Sequence, residues 1–257
     1  MQVAVMPAAL NGCYVISLRP VTQHAPLRRA AAAQGARMLA LSPWKLQTQA
    51  DDATREALHT ALTGDRIVFT SPAAVRAAQA LQSLHVRNGQ RWFAVGAGTA
   101  AALRRAGIVE VVAPTQMDSE GLLALPGLQD VQDLAIGLVT APGGRELIAP
   151  QLQQRGARVL RADVYARIAI MPSPRAIKAL RTLHVPAWLA LSSGAALEHV
   201  LAVLPADAAA ALRRARVVAA SERLAQLARG HGFERIVVAA SALPRDLVAA
   251  AAQAALA

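Results

Sequence analysis

The feature that most constrains this chain is a strand–turn–helix unit that occurs twice. Ile67, Val68 and Phe69 form a short apolar run closed by Thr70-Ser71-Pro72, and β-branched and aromatic residues stopped by turn formers read as a buried parallel strand followed by a helix start. Ser71 can cap that helix with its hydroxyl, and Pro72 suits the first helical position, where its missing N–H loses no bond. Residues 92–95 make a second strand, and Gly96-Ala97-Gly98-Thr99 turns the chain into an Ala-rich helix that ends at Gly107. Residues 189–193 repeat the first strand and turn. Residues 217–220 repeat the second, with Ser221 in place of Gly96, and each second helix runs eleven residues to a glycine, Gly107 or Gly232. Gln34-Gly35-Ala36-Arg37-Met38-Leu39 and Arg155-Gly156-Ala157-Arg158-Val159-Leu160 share the 121-residue offset that relates Ser71 to Ser192. Three landmarks in the same order imply a duplicated unit.

Strands alternating with helices place the chain in the α/β class, as two similar lobes, each a parallel sheet flanked by helices. The boundary has two solutions. A tandem arrangement splits near Pro126; alternatively the extended runs 38–44 and 159–170, equivalent in the two copies, both cross between lobes, and the first lobe then takes residues 1 to about 42 plus the C-terminal third. With 257 residues there is room for two modest cores. Cys13 is the single cysteine, which excludes an intrachain disulfide and a Cys-based metal site and points to a reducing, cytoplasmic setting. The N-terminal residues lack a basic start and are interrupted by Pro7, unlike a secretory leader, and charges or turn residues break every apolar stretch before about 18 residues, so no membrane is expected.

The formal charge of +11 comes almost wholly from arginine, with Lys45 and Lys178 the only lysines. Alongside so much alanine this reads as compositional bias and solvated helix faces, or as a preference for polyanionic partners. With aromatic residues at 3% and no basic run of five, nucleic acid is not expected.

The six histidines are never spaced as a ligand pair, so they read as surface or helix-end imidazoles and no metal is expected. There is no Gly-x-Ser-x-Gly elbow and no Gly-Lys-Ser/Thr phosphate loop. Gly96-Ala97-Gly98-Thr99-Ala100-Ala101 fits half of a dinucleotide fingerprint, but its sixth position is Ala and it does not follow the first strand of a sheet. What remains is a ring of turns at strand C-terminal ends: Arg19, Ser71, Gly96 with Thr99, Gly143 with Gly144 and Arg145, Ser192 with Ser193 and Gly194, and Ser221. Each hydroxyl also has a plain helix-capping role. As a set they supply many N–H and O–H donors and little acid or base, which suits a polycarboxylate that must be held more than attacked.

Taken in order, these segments resemble the uroporphyrinogen-III synthase family. The matching residues are Ile16-Ser17-Leu18-Arg19-Pro20, Val68-Phe69-Thr70-Ser71-Pro72-Ala73-Ala74-Val75, Ala94-Val95-Gly96-Ala97-Gly98-Thr99-Ala100, Ser119-Glu120-Gly121-Leu122-Leu123, Gly144-Arg145-Glu146, Val164-Tyr165-Ala166-Arg167, Leu191-Ser192-Ser193 and Ser221-Glu222-Arg223. The resemblance implies two α/β lobes joined by a two-stranded linker. It selects the crossing arrangement: residues 1–42 plus 171–257 as one lobe, 45–164 as the other, and 38–45 and 159–170 as linker strands. It also implies a cofactor-independent, cytoplasmic enzyme that closes hydroxymethylbilane, a linear tetrapyrrole polycarboxylate, into uroporphyrinogen III with loss of water and inversion of the last pyrrole ring; a monomer is expected. Carried over by motif, Tyr165 becomes the proton donor to the leaving hydroxyl, with a linker tyrosine packing between the lobes as its structural alternative, and Ser71, Thr99, Ser192 and Ser193 become carboxylate binders. The alternative is a non-catalytic two-lobed binding protein or regulator for a small polyanion.

Overall fold

The computed structural model describes residues 8–143 and 147–256. In chain order the elements are β1 (Tyr14–Ser17), α1 (Ala25–Ala33), β2 (Arg37–Ala40), β3 (Trp44–Thr48), α2 (Asp52–Ala61), β4 (Arg66–Phe69), α3 (Pro72–Leu81), β5 (Arg91–Ala94), α4 (Ala97–Arg105), β6 (Val111–Val112), α5 (Ser119–Leu123), β7 (Ala135–Thr140), α6 (Ile148–Gln154), β8 (Arg158–Asp163), β9 (Tyr165–Ala169), α7 (Pro174–Arg181), β10 (Ala187–Leu191), α8 (Gly194–Val203), α9 (Ala206–Arg213), β11 (Arg216–Ala219), α10 (Glu222–Gly230), β12 (Ile236–Val238) and α11 (Pro244–Leu256). They form two compact units. One takes the chain up to Lys45 and from Ile168 onward, and the other is Leu46–Arg167.

Each unit is built on a five-stranded sheet whose neighbours all run parallel, ordered β12-β11-β10-β1-β2 in the first unit and β6-β5-β4-β7-β8 in the second. Matched strand by strand, β10, β11, β12, β1 and β2 correspond to β4, β5, β6, β7 and β8. The duplication is therefore realised in topology, with the first unit taking its last two strands from the start of the chain. The equivalent glycines agree: Gly35 and Gly156 have φ of +78° and +84°, and Gly107 and Gly232 have +92° and +85°. A side chain in this left-handed region is disfavoured, so glycine ends the preceding helices cheaply.

Alternation along the strands supplies both cores, because successive side chains leave a strand on opposite faces. Leu189 and Leu191 of β10 join one buried cluster while Trp188 and Ala190 join the other. In β4, Ile67 and Phe69 face one way and Val68 the other. Phe69 stacks on Trp92 of β5 at 5.8 Å between ring centroids and 11° between planes, and both rings are buried.

The chain changes unit within β3 and β9, which pair with each other. The paired strands are residues 44–48 and 165–169, at the end of one extended run and inside the other. Residues 37–40 are β2, in register with β1, and residues 158–163 are β8, in register with β7. Each extended run holds two strands, and the first of each is sheet, because its hydrogen-bonding edge meets a neighbour in its own unit. Residues 44–48 are the strand β3, from which the chain leads into α2. The helix Ala206–Arg213 was not anticipated; it buries Ala208, Ala209, Ala211 and Leu212.

Candidate functional site

In the second unit the strand order reverses between β4 and β7, and a crevice outside such a switch point is where open α/β sheets bind ligands. Both strands end there in hydroxyls, and Thr70 Oγ1 donates to Thr140 Oγ1 at 2.8 Å. One residue further, Ser71 is the N-cap of α3, its Oγ accepting from Ala74 N at 3.1 Å, and Pro72 opens the helix. A cavity of about 340 Å³ lies against these turns, lined also by Asp118, Arg161, Tyr165 and Arg167. Tyr165, only 6% exposed, shares a hydrogen bond of 3.1 Å between its hydroxyl and Ser71 Oγ.

Arg167 lies two residues past Tyr165 on β9, and the period of two along a strand puts both on the cavity side. Arg161, on β8, is oriented by Asp163, with its Nε 3.1 Å from each carboxylate oxygen. Asp118 caps α5 by accepting from Gly121 N at 2.8 Å. The cavity thus joins two hydroxyl pairs to two guanidinium groups, a donor-rich surface for carboxylates. Among the described residues no group of three or more His, Cys, Asp or Glu is placed to hold a metal ion.

Gly96 and Thr99 sit one strand further along. Gly96 is the N-cap of α4 and Thr99 is buried inside that helix; neither lines the cavity. Gly144 and Arg145 lie outside the described residues. Thr70, Thr140, Arg161 and Arg167 were missed as site residues. For Arg167 a signal existed, its two-residue spacing from Tyr165; for the others only strand pairing brings them in.

In the first unit the equivalent reversal lies between β10 and β1. Ser193 caps α8, accepting from Ala196 N at 3.3 Å, with exposed Ser192 before it and Gly194 as the first helical residue. Ser221 caps α10 on the next strand, accepting from Leu224 N at 3.4 Å. Arg19 follows β1, and partial burial draws its guanidinium below the ordinary arginine range. Its ionic form in a half-buried place, with no ion-pair partner among the described residues, is suited to an incoming anion.

Beside Arg19, His24 departs from the expected surface imidazole. It is buried, Nδ1 lying 2.9 Å from Ser17 Oγ and Nε2 2.8 Å from Ser42 Oγ. Burial first, then the charges of Arg28 and Arg19, lower its pKa below the ordinary value. The unfolded chain therefore takes up a proton near pH 6.5 that the folded chain refuses, and stability falls as pH drops through that range. Thermal unfolding at pH 7.5 and pH 5.0 should show a drop in Tm for the parent chain and a smaller drop for His24→Asn; equal drops would mean that His24 is not the group responsible.

The family model described as Uroporphyrinogen-III synthase HemD matches residues 25–249. A uroporphyrinogen-III synthase of Salmonella typhimurium is 35% identical over 189 residues, covering 70% of this chain and 76% of that protein. One of Escherichia coli K12 is 34% identical over 154 residues, 59% of this chain and 62% of that protein. Among solved structures, uroporphyrinogen III synthase from Thermus thermophilus (a mutant) superposes with a TM-score of 0.58 at 21% identity, covering 95% of this chain and 98% of that one. The Helicobacter pylori uroporphyrinogen-III synthetase gives 0.60 at 11% identity, covering 95% and 99%; at such identities the likeness speaks for the two-unit fold alone. The alternative of a non-catalytic regulator is not favoured, since these relatives are named as enzymes. Fold, motif order and the matched length agree, and the chain belongs to the uroporphyrinogen-III synthase family.

Proposed function

We propose that this chain is a cyclising lyase that closes hydroxymethylbilane into uroporphyrinogen III, eliminating water and inverting the terminal pyrrole ring. The observation that carries the proposal at residue level is the Tyr165 hydroxyl held 3.1 Å from Ser71 Oγ in a cavity that also holds Arg161 and Arg167. Departure of the substrate hydroxyl is driven by the electron-rich pyrrole, so the protein need only protonate the leaving oxygen and fix the conformation of the chain. Tyr165 supplies that proton. A phenol is a weak acid, which fits a reaction whose leaving group needs little help.

Arg161, Arg167 and the capped N-terminus of α3 hold substrate carboxylates in the second unit, while Arg19, Ser192, Ser193 and Ser221 do so in the first. Gly96, Thr99, Gly144 and Arg145 belong to the proposed set by sequence alone. About 340 Å³ is at the small end for a ligand pocket, so the cavity of the second unit takes part of the tetrapyrrole and not the whole. Holding both reacting ends in one conformation is the main contribution, since orientation of this kind is worth several orders of magnitude in rate. We further propose that the enzyme acts as a cytoplasmic monomer. Among the described residues no helix is long and apolar enough to cross a membrane.

The purified chain should convert enzymatically generated hydroxymethylbilane to the type III isomer, separated by chromatography after oxidation. A product consisting only of the uninverted type I isomer, which forms by unguided closure, would overturn the assignment.

A further inference from the structure

The ligand-binding turns lie at the C-terminal ends of the strands, but in the first unit the opposite ends carry a larger concavity. The segments entering β10, β11 and β12 surround about 610 Å³, against about 340 Å³ for the cavity at Tyr165. Its accessible apolar side comes from Leu183, Val185 and Pro186, and its rim is cationic, from Arg214, Arg216 and Arg235 with His184 beside them. A second hollow of about 280 Å³ adjoins it, sharing Arg214, Ala215 and Arg235 and adding Arg213 and Glu234.

The arginines are gathered by the fold. Val217 N donates to Arg235 O at 2.7 Å, which sets Arg235 beside Arg216 on adjacent strands about 4.8 Å apart. Arg216 is fixed in turn by Trp188, its guanidinium carbon 5.3 Å from the ring centroid. Arg213 donates through Nε to His231 O at 2.8 Å. The C-terminal end of α9 accounts for Arg213 and Arg214, because cations there complement the helix dipole. Arg216 is accounted for by Trp188, and Arg235 has no such account. Among the described residues none of the four is in an ion pair, and Glu234, the one acid lining either hollow, is not bonded to them. Like charges set side by side without counter-charge oppose folding unless an anion joins them.

From this we infer a second ligand site, distinct from the cavity at Tyr165, that takes an amphiphilic anion: an apolar body against Leu183, Val185 and Pro186, and a carboxylate, phosphate or sulfonate head across Arg214, Arg216 and Arg235. Guanidinium groups bind such heads in two-point fashion, and the apolar wall adds affinity that a small inorganic anion does not receive.

The probe is 1-anilinonaphthalene-8-sulfonate, titrated by fluorescence into the full chain, with sodium triphosphate as the headgroup-only comparison. The parent chain should bind one dye molecule, R214E/R235E should bind it at least about tenfold more weakly, and triphosphate should displace it only at concentrations more than about tenfold higher than the dye's own Kd. Both substituted side chains are exposed. Should that pair fail to fold, Arg235→Gln alone serves, because the strand is tied through the Arg235 backbone carbonyl and not its side chain. Unchanged dye affinity in these variants overturns the site, and triphosphate binding as tightly as the dye overturns its amphiphilic character. Neither outcome bears on ring closure at Tyr165.

Discussion

Gly137→Ala should destabilise the second unit by about 3 kcal/mol or more, a large share of the 5–15 kcal/mol that holds a typical domain together. Gly137 lies in the middle of β7, between β4 and β8. A Cβ built there would overlap the carbonyl oxygen of Ala61 and come within 2.7 Å of its carbonyl carbon. Both obstacles are backbone, at the last residue of α2, so no side-chain rotation relieves them. Gly64, just past that end of α2, is equally close to the strand, its own Cβ position being 2.7 Å from Gly137 N and 2.9 Å from Ala135 O. Two glycines therefore let the end of α2 cross β7 in direct backbone contact, and one methyl group must push helix and strand apart. Urea denaturation followed through Trp92, whose ring is buried on Phe69, measures the loss. Gly230→Ala is the control: it is in α10 with open space around its Cβ position, and the change should be neutral or stabilising by up to about 1 kcal/mol. Equal stability of the parent and Gly137→Ala would show that α2 can shift without cost.

Tyr165→Phe should lower kcat by about 10- to 100-fold, at or below the lower end of what general acid catalysis contributes, with KM little changed. The ring stays packed; what is lost is the hydroxyl and its 3.1 Å bond to Ser71. One neutral hydrogen bond is worth about 1 kcal/mol, so Tm should move by a few degrees at most. That separation of activity from stability is the test: a fall in Tm without a fall in kcat assigns Tyr165 to packing alone. Ser71→Ala makes a useful contrast, since it removes the cap of α3 as well as a proposed carboxylate donor, costs about 1 kcal/mol in stability, and should act on KM.

The members of the site differ in how far the chain announces them. Ser71, Ser193 and Ser221 were recognisable as turns ahead of helices, and all three accept from a backbone N–H three residues on. Asp51 and Asp118, each directly before a helix, are the N-caps of α2 and α5. The repeat itself was legible down to the glycines after α4 and α10. By contrast, His24 shows no burial in sequence, because its partners Ser17 and Ser42 meet it only when β1 and the residues after β2 come together.

Capping, alternation along a strand and helix termination each involve residues within about four positions of one another, and those were fixed by the order of amino acids alone, as was the doubling of the unit. Strand pairing is different. Thr70 meets Thr140 across 70 residues and Ser71 meets Tyr165 across 94, and an extended segment has the same pattern whether its edge joins a sheet, as β2 and β8 do, or another crossing strand, as β3 and β9 do. Only the folded chain, by choosing which edges share hydrogen bonds, decided where the units divide and which arginines face the cavity.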